Sequence, residues 1–207
     1  MIRLYSTLAI GLIAALLGGL GYMVMSGPQG QAGLAQCRAT NVTGGSGSIG
    51  GPFELVDHTG RTVTDADFAD RPVLMYFGYT FCPDVCPLDT ARNAQAVDLL
   101  TEQGYDVTPV FVSVDHQRDT QEALAEFVRF MHPEMIGLTG SEAQIRDAAQ
   151  AYRVYFAIHD AEDDFYLIDH STFSYFMLPE HGFVDIIRRD QSPEQVAETL
   201  ACFIDNA

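Results

Sequence analysis

The chain is short of cysteine and of positive charge, and it carries no internal repeat. Four cysteines in 207 residues, at positions 37, 82, 86 and 202, are too few for a disulfide scaffold, so each needs its own explanation. Lys and Arg total 11 against 28 Asp and Glu, a formal charge of -17. That balance makes binding to a phosphate backbone unfavourable, and nucleic acid is not expected as a partner. The excess acid suits a basic docking face on a partner, although a solvated surface is the simpler reading. With 47% hydrophobic residues and no repeat, one globular domain is expected, and it is expected to be monomeric.

Charge is also missing from the N-terminus, where no charged residue occurs between Arg3 and Arg38. Residues 4–25 are dominated by Leu, Ile, Ala, Gly, Met and Val, a run long enough for the roughly 20 residues of a spanning helix. Arg3 and the terminal amine precede it, which places the N-terminus in the cytoplasm and the remainder outside. A cleavable signal peptide competes with this reading, but its apolar core is only about 7 to 15 residues long. Cys37, behind Leu34, Ala35 and Gln36, is not read as a lipidation site, because Gln36 is too large for the position before the cysteine. Residues 1–26 are thus expected to be a cytoplasmic N-terminus and transmembrane anchor. Residues 27–51, rich in Gly, Ser, Gln and Thr, are expected to be a flexible linker, and residues 52–207 the folded domain.

What is present in the domain reads as alternating strands and helices. Residues 53–57 and 61–64 suggest a hairpin, followed by a helical turn over 65–69. Residues 72–79 form a continuous apolar and aromatic run, as in a strand buried on both faces. A helix is expected over 88–103, closed by Gly104, then a strand over 108–115. Asp119 with Glu122 predicts a capped helix start running to Met131. A short strand at 135–138, a helix opened by Ser141 and Gln144, and strands at 165–169, 173–178 and 183–188 follow. Ser192, Pro193 and Gln195 then open a terminal helix. The pattern predicts an α/β sheet with helices on both faces, best matched by a thioredoxin-like fold with an extra β-hairpin.

The chemistry sits between the buried strand and the helix that follows it. Cys82 and Cys86 are four positions apart, where helix N-terminal amides favour thiolate. Positions i and i+4 share a helical face, so the pair can grip one soft ion or close into a disulfide. Thiolates select Cu(I), zinc or iron–sulfur clusters, and imidazole suits copper and zinc. His170, at the end of a late strand, is the candidate third ligand, although a lone histidine there is more often a packed or surface residue.

Three separated stretches, FGYTFCPDVCP, SVDHQRDTQEALAEF and YLIDHS, together resemble the Sco/SenC family of copper proteins that serve cytochrome c oxidase assembly, over about residues 50–205. The resemblance implies that Cys82, Cys86 and His170 bind one copper ion as Cu(I) or Cu(II), on a thioredoxin fold tethered by one N-terminal span. It also implies delivery of copper to the dinuclear site of cytochrome c oxidase subunit II, or reduction of that site's cysteines, with a periplasmic copper donor upstream. The expected location is the bacterial inner membrane, with the domain in the periplasm. Whether the protein is an enzyme stays open: a metallochaperone has no turnover, whereas a thiol-disulfide oxidoreductase or a peroxidase-like relative would use Cys82 and Cys86, and a copper or redox sensor is a third reading.

Several other residues are weighed beside these. Asp84 and Asp169 are candidates to orient ligands, with solvation or capping the simpler role. Asp115 should lie at the C-terminal edge of its strand, where sites of α/β sheets gather. His116 stands where the family resemblance leads one to expect Pro. Cys37 and Cys202 are an even choice between a disulfide and two free thiols. Histidines 58, 132, 159 and 181 and Met75, Met131, Met135 and Met177 are assigned packing or surface roles. Tyr76, Phe77, Tyr79 and Phe81 are candidates to wall the site, with about half expected in the core.

Overall fold

The structure, a computed structural model, describes residues 11, 16–19, 33–38, 49–159 and 165–207. The expected membrane span lies outside the described residues except at 11 and 16–19. Among the described residues no helix is long and apolar enough to cross a membrane.

The α/β class expected from the alternating pattern is what the domain adopts. A central sheet is built from β1 (Glu54–Asp57), β2 (Thr62–Thr64), β3 (Val73–Gly78), β4 (Thr108–Ser113), β5 (Ile136–Thr139), β8 (Ser174–Leu178) and β9 (Gly182–Ile187), in the order β2-β1-β5-β4-β3-β8-β9. β3, β4 and β5 run parallel, while β1, β8 and β9 are antiparallel to their neighbours. A 3₁₀ turn spans Asp65–Phe68, and Glu180 and Gly182 take positive φ in the β8–β9 turn. The helices are α1 (Val85–Glu102), α2 (Gln121–Met131), α3 (Glu142–Ala151) and α4 (Pro193–Asp205).

Alternation along β3 divides the core. Leu74 packs with Val97 and Leu100 of α1 and Leu200 and Phe203 of α4. Phe77 meets Tyr152 and Tyr175 on the opposite side, toward α3. All six residues of β3 are buried, as a central parallel strand requires. Capping boxes at Ser141–Gln144 and Ser192–Gln195 open α3 and α4 as the sequence predicts.

Three expectations are corrected. α1 begins at Val85 rather than at residue 88, so Cys86 and Pro87 sit in its first turn, where a proline has no helical hydrogen bond to lose. The N-cap of α2 is Thr120, whose hydroxyl accepts from the Ala123 amide; Asp119 is instead buried and bound elsewhere. The strand expected at 165–169 is the short β7 (Ile168–His170), which pairs with β6 (Phe156–Ile158), a strand the sequence reading missed. β6 and β7 form a separate two-stranded ribbon.

Within the expected linker, residues 33–38 are docked on the domain. Leu34 is buried in the α1–α4 cluster, Gln36 donates to Asn206, and Cys37 is disulfide-bonded to Cys202, 165 residues later. Cys202 leans off the core face of α4, within reach of that outer segment.

Candidate metal centre

β3 delivers the chain to the site and Gly78 ends it. A Cβ on Gly78 would stand 2.9 Å from the Tyr76 ring, 3.0 Å from the Cys86 sulfur and 3.2 Å from the Phe111 ring. Only glycine lets α1 bring a sulfur this close to the sheet. Thr80 turns the loop, and its amide and hydroxyl donate to the Asp119 carboxylate at 2.9 and 2.6 Å. Ser113 of β4 donates to the same carboxylate at 2.6 Å. The loop carrying Cys82 is therefore pinned to the edge of the sheet from below.

Cys82 and Cys86 are buried free thiols, and His170 at the end of β7 is half-buried. Their ligand atoms all lie within 4.8 Å of one another, and Nε2 of His170 is 3.2 Å from the Cys86 sulfur. Nδ1 of the imidazole is 2.9 Å from the Ser171 carbonyl, which fixes the proton there and turns the Nε2 lone pair toward the sulfurs. The rings of Tyr76 and Tyr79 meet the imidazole edge-on, 6.1 and 5.8 Å away.

The two thiols differ. Cys82 is held well below the ordinary thiol range, chiefly by the Cys86 thiol donating to it, and further by the amides of Asp84 and Cys86. The Cys86 amide lies 3.4 Å from that sulfur. Cys86 is pushed upward by the neighbouring Cys82 sulfur and by burial. The hydrogen bond between them thus favours the charge on Cys82 and the proton on Cys86. Beneath them Tyr76 donates to the buried Asp89 at 3.2 Å, and Arg92 lies 4.0 Å from the same carboxylate.

Other sequence candidates fall elsewhere. Asp84 caps α1 in position only: its side chain is exposed and makes no capping bond. Asp169 is exposed and paired with His159 at 2.7 Å, so the carbonyl of Ser171, not an acid, orients His170. Asp115 is fully buried at the end of β4 and is bound by Arg118 and Tyr166. His116 lies 3.8 Å from Glu142 and outside the cluster. His58 accepts from the Gly137 amide, and His132 accepts from the Glu134 amide while facing Asp98. Of the four aromatics expected to wall the site, Tyr76 and Tyr79 do so, Phe77 lies in the core, and Phe81 is 56% exposed at the rim.

Gly78, Arg118, Tyr166 and the Ser171 carbonyl were not singled out from the sequence. A lone glycine ending an apolar strand signals close approach of another group and could have marked Gly78. The other three act through contacts that only the fold brings together.

Two sulfurs and an imidazole nitrogen make a donor set suited to copper, and three ligands leave one side open. A family model described as SCO1/SenC matches residues 41–205. The protein SenC of Rhodobacter capsulatus is 54% identical over 172 residues, covering 83% of this chain and 77% of that one. Among solved structures, ScoI of Arabidopsis thaliana with copper bound matches at a TM-score of 0.73 and 39% identity, over 77% of this chain and 99% of the other. ScoI of Bradyrhizobium japonicum with copper bound matches at a TM-score of 0.69 and 34% identity, over 75% and 99%.

Proposed function

Because the chain belongs to the SCO1/SenC family, we propose that it is a copper chaperone whose cargo is held by Cys82, Cys86 and His170 and handed to the dinuclear copper site of cytochrome c oxidase subunit II. The convergence of three soft or borderline donor atoms within 4.8 Å carries the reading. Cys82 offers a ready anion at the mouth, Cys86 supplies the second sulfur once its proton leaves, and His170 presents an oriented lone pair. A three-donor set leaves room for an incoming ligand, which a closed structural site does not. Tyr76 and Tyr79 exclude water from the inner side, so the sulfurs are reached from the Cys82 side.

In this reading the N-terminal apolar run holds the domain at the bacterial inner membrane, facing the periplasm, where a copper donor loads it. The Cys37–Cys202 disulfide supports an oxidising compartment.

A second reading is favoured by the asymmetry of the two thiols. The Cys82 thiolate would attack a disulfide on the partner, forming a mixed disulfide and releasing one partner thiol. Cys86, on losing its proton, would then displace the second partner thiol and close a Cys82–Cys86 disulfide.

The deciding experiment loads the full chain with Cu(I) and Cu(II) and compares it with His170→Ala. The variant is expected to lose tight Cu(II) and to shift the thiolate-to-copper absorption band. Equally tight, stoichiometric copper with an unchanged band would sink the ligand assignment. Disulfide reduction that survives His170→Ala but not Cys82→Ser would favour the reductase.

A further inference from the structure

The sheet does not explain why His170 stays over the cysteines. Among the described residues β7 pairs with β6 alone, in a ribbon of three residue pairs separate from the main sheet. Two-stranded ribbons are marginal in water by themselves. Burial of Ile168 and Tyr166 in the core and a hydrogen bond from the Ile168 amide to the Tyr79 hydroxyl at 3.4 Å hold it from one side, and one further side chain adds to them.

Arg118 lies where three segments meet. Its Nε donates to Asp115 at 2.6 Å, and one terminal nitrogen donates to the Tyr166 carbonyl at 2.9 Å, two residues before β7. The guanidinium carbon stands 3.5 Å from the centre of the Tyr166 ring, 5.0 Å from that of Phe81 and 5.8 Å from that of Tyr79. The Tyr166 hydroxyl closes the loop by donating to the other Asp115 oxygen. Asp115 is fully buried and Tyr166 nearly so, while the Arg118 side chain is 14% exposed. One planar cation therefore ties the end of β4 to the entry into β7 and to aromatic residues flanking the cysteine loop. A guanidinium does this where an ammonium would not, because it can donate in two directions within its plane and stack across it.

We propose that Arg118 is a positioning residue that holds the ribbon carrying His170 against the cysteine loop. It acts on the imidazole's placement, not on the sulfurs. The proposal rests on the copper reading above for its effect on metal, and on the ribbon alone for its mechanical part.

The test uses the full chain and the variants Arg118→Met, His170→Ala and their double. In metal-free Arg118→Met, amides of residues 156–158 and 168–171 are expected to exchange faster, with β3 and β4 unchanged. Cu(I) affinity, read by competition with a chromophoric chelator, should fall about 10- to 100-fold, as for lost supports of other metal ligands. Arg118→Met should cost nothing further once His170 is alanine, because the two act as a unit. An equal loss in both backgrounds, or unchanged ribbon exchange with unchanged affinity, overturns the proposal. If Arg118→Met fails to fold, Arg118→Lys, which keeps the charge beside Asp115 but not the stacked plane, and Tyr166→Phe, which keeps the ring but not the hydroxyl, enter the same cycle. If His170→Ala leaves copper binding intact, the copper reading fails instead, and the exchange of the ribbon still decides whether Arg118 holds it.

Discussion

Gly78 and Cys86 compete for the same space: a Cβ on the first would lie 3.0 Å from the sulfur of the second. Gly78→Ala should therefore displace the Cys86 sulfur or the Tyr76 ring. The expected cost is about 1–3 kcal/mol of stability, typical of overpacking a filled core, together with weaker Cu(I) binding. Urea unfolding and chelator competition measure the two effects. Unchanged affinity would show that the sulfur has slack in its seat.

Asp119 accepts three hydrogen bonds from groups that have little water to turn to, the amide and hydroxyl of Thr80 and the hydroxyl of Ser113. Asp119→Ala strands those donors, at a cost on the order of 3 kcal/mol. Because Thr80 leads into Cys82, copper affinity should fall as well. A variant that unfolds at the same urea concentration as wild type would contradict this account.

Both aspartates of the second quoted motif were visible in the sequence, but their roles were not. The sequence makes Asp119 look like a helix cap because a Glu follows at the right spacing, and the structure gives that cap to Thr120. The pull of a loop hydroxyl and a strand-end hydroxyl on a buried carboxylate leaves no local pattern to read. Cys82 and Cys86 were legible because their spacing and the strand before them are local. His170 was legible only by resemblance, since its approach to within 3.2 Å of Cys86 depends on a chain return of 84 residues. β6 went unread because three half-buried residues have too little periodicity to mark a strand.

Burial lifts the Asp185 carboxyl to about 6, against 3.8 for an ordinary aspartate, even though the Ile186 amide and Arg38 act in the opposite direction. Between those values the folded chain binds the proton and the unfolded chain does not. The contribution of Asp185 to stability therefore declines as pH rises through that window and remains lost above it. Asp185→Asn keeps an oxygen for the Ile186 amide and removes the charge. Relative to pH 4, the variant should gain on wild type by about 2–3 kcal/mol at pH 7. Urea titrations at both pH values check the widening gap, and a gap independent of pH would refute its cause.

Cys202→Ser opens a disulfide that closes 165 residues of chain. The expected loss is about 2–5 kcal/mol, with Leu34 and its neighbours released from α4. Copper affinity should not change, because the bridge shares no residue with the ligand cluster. A parallel loss of copper affinity would reveal coupling along α1 between the two.

That separation also has a length. α1 is 18 residues long, about 27 Å, and Cys86 lies in its first turn. Just past its other end Tyr105 donates to Asp205, at the same end of α4 as the bridge to Cys37. The chain thus enters at the foot of the domain and its ligands open at the head. If the residues before Cys37 are held in a bilayer, as proposed, the metal ligands lie at the end of α1 remote from that attachment, where they are left free for an incoming partner.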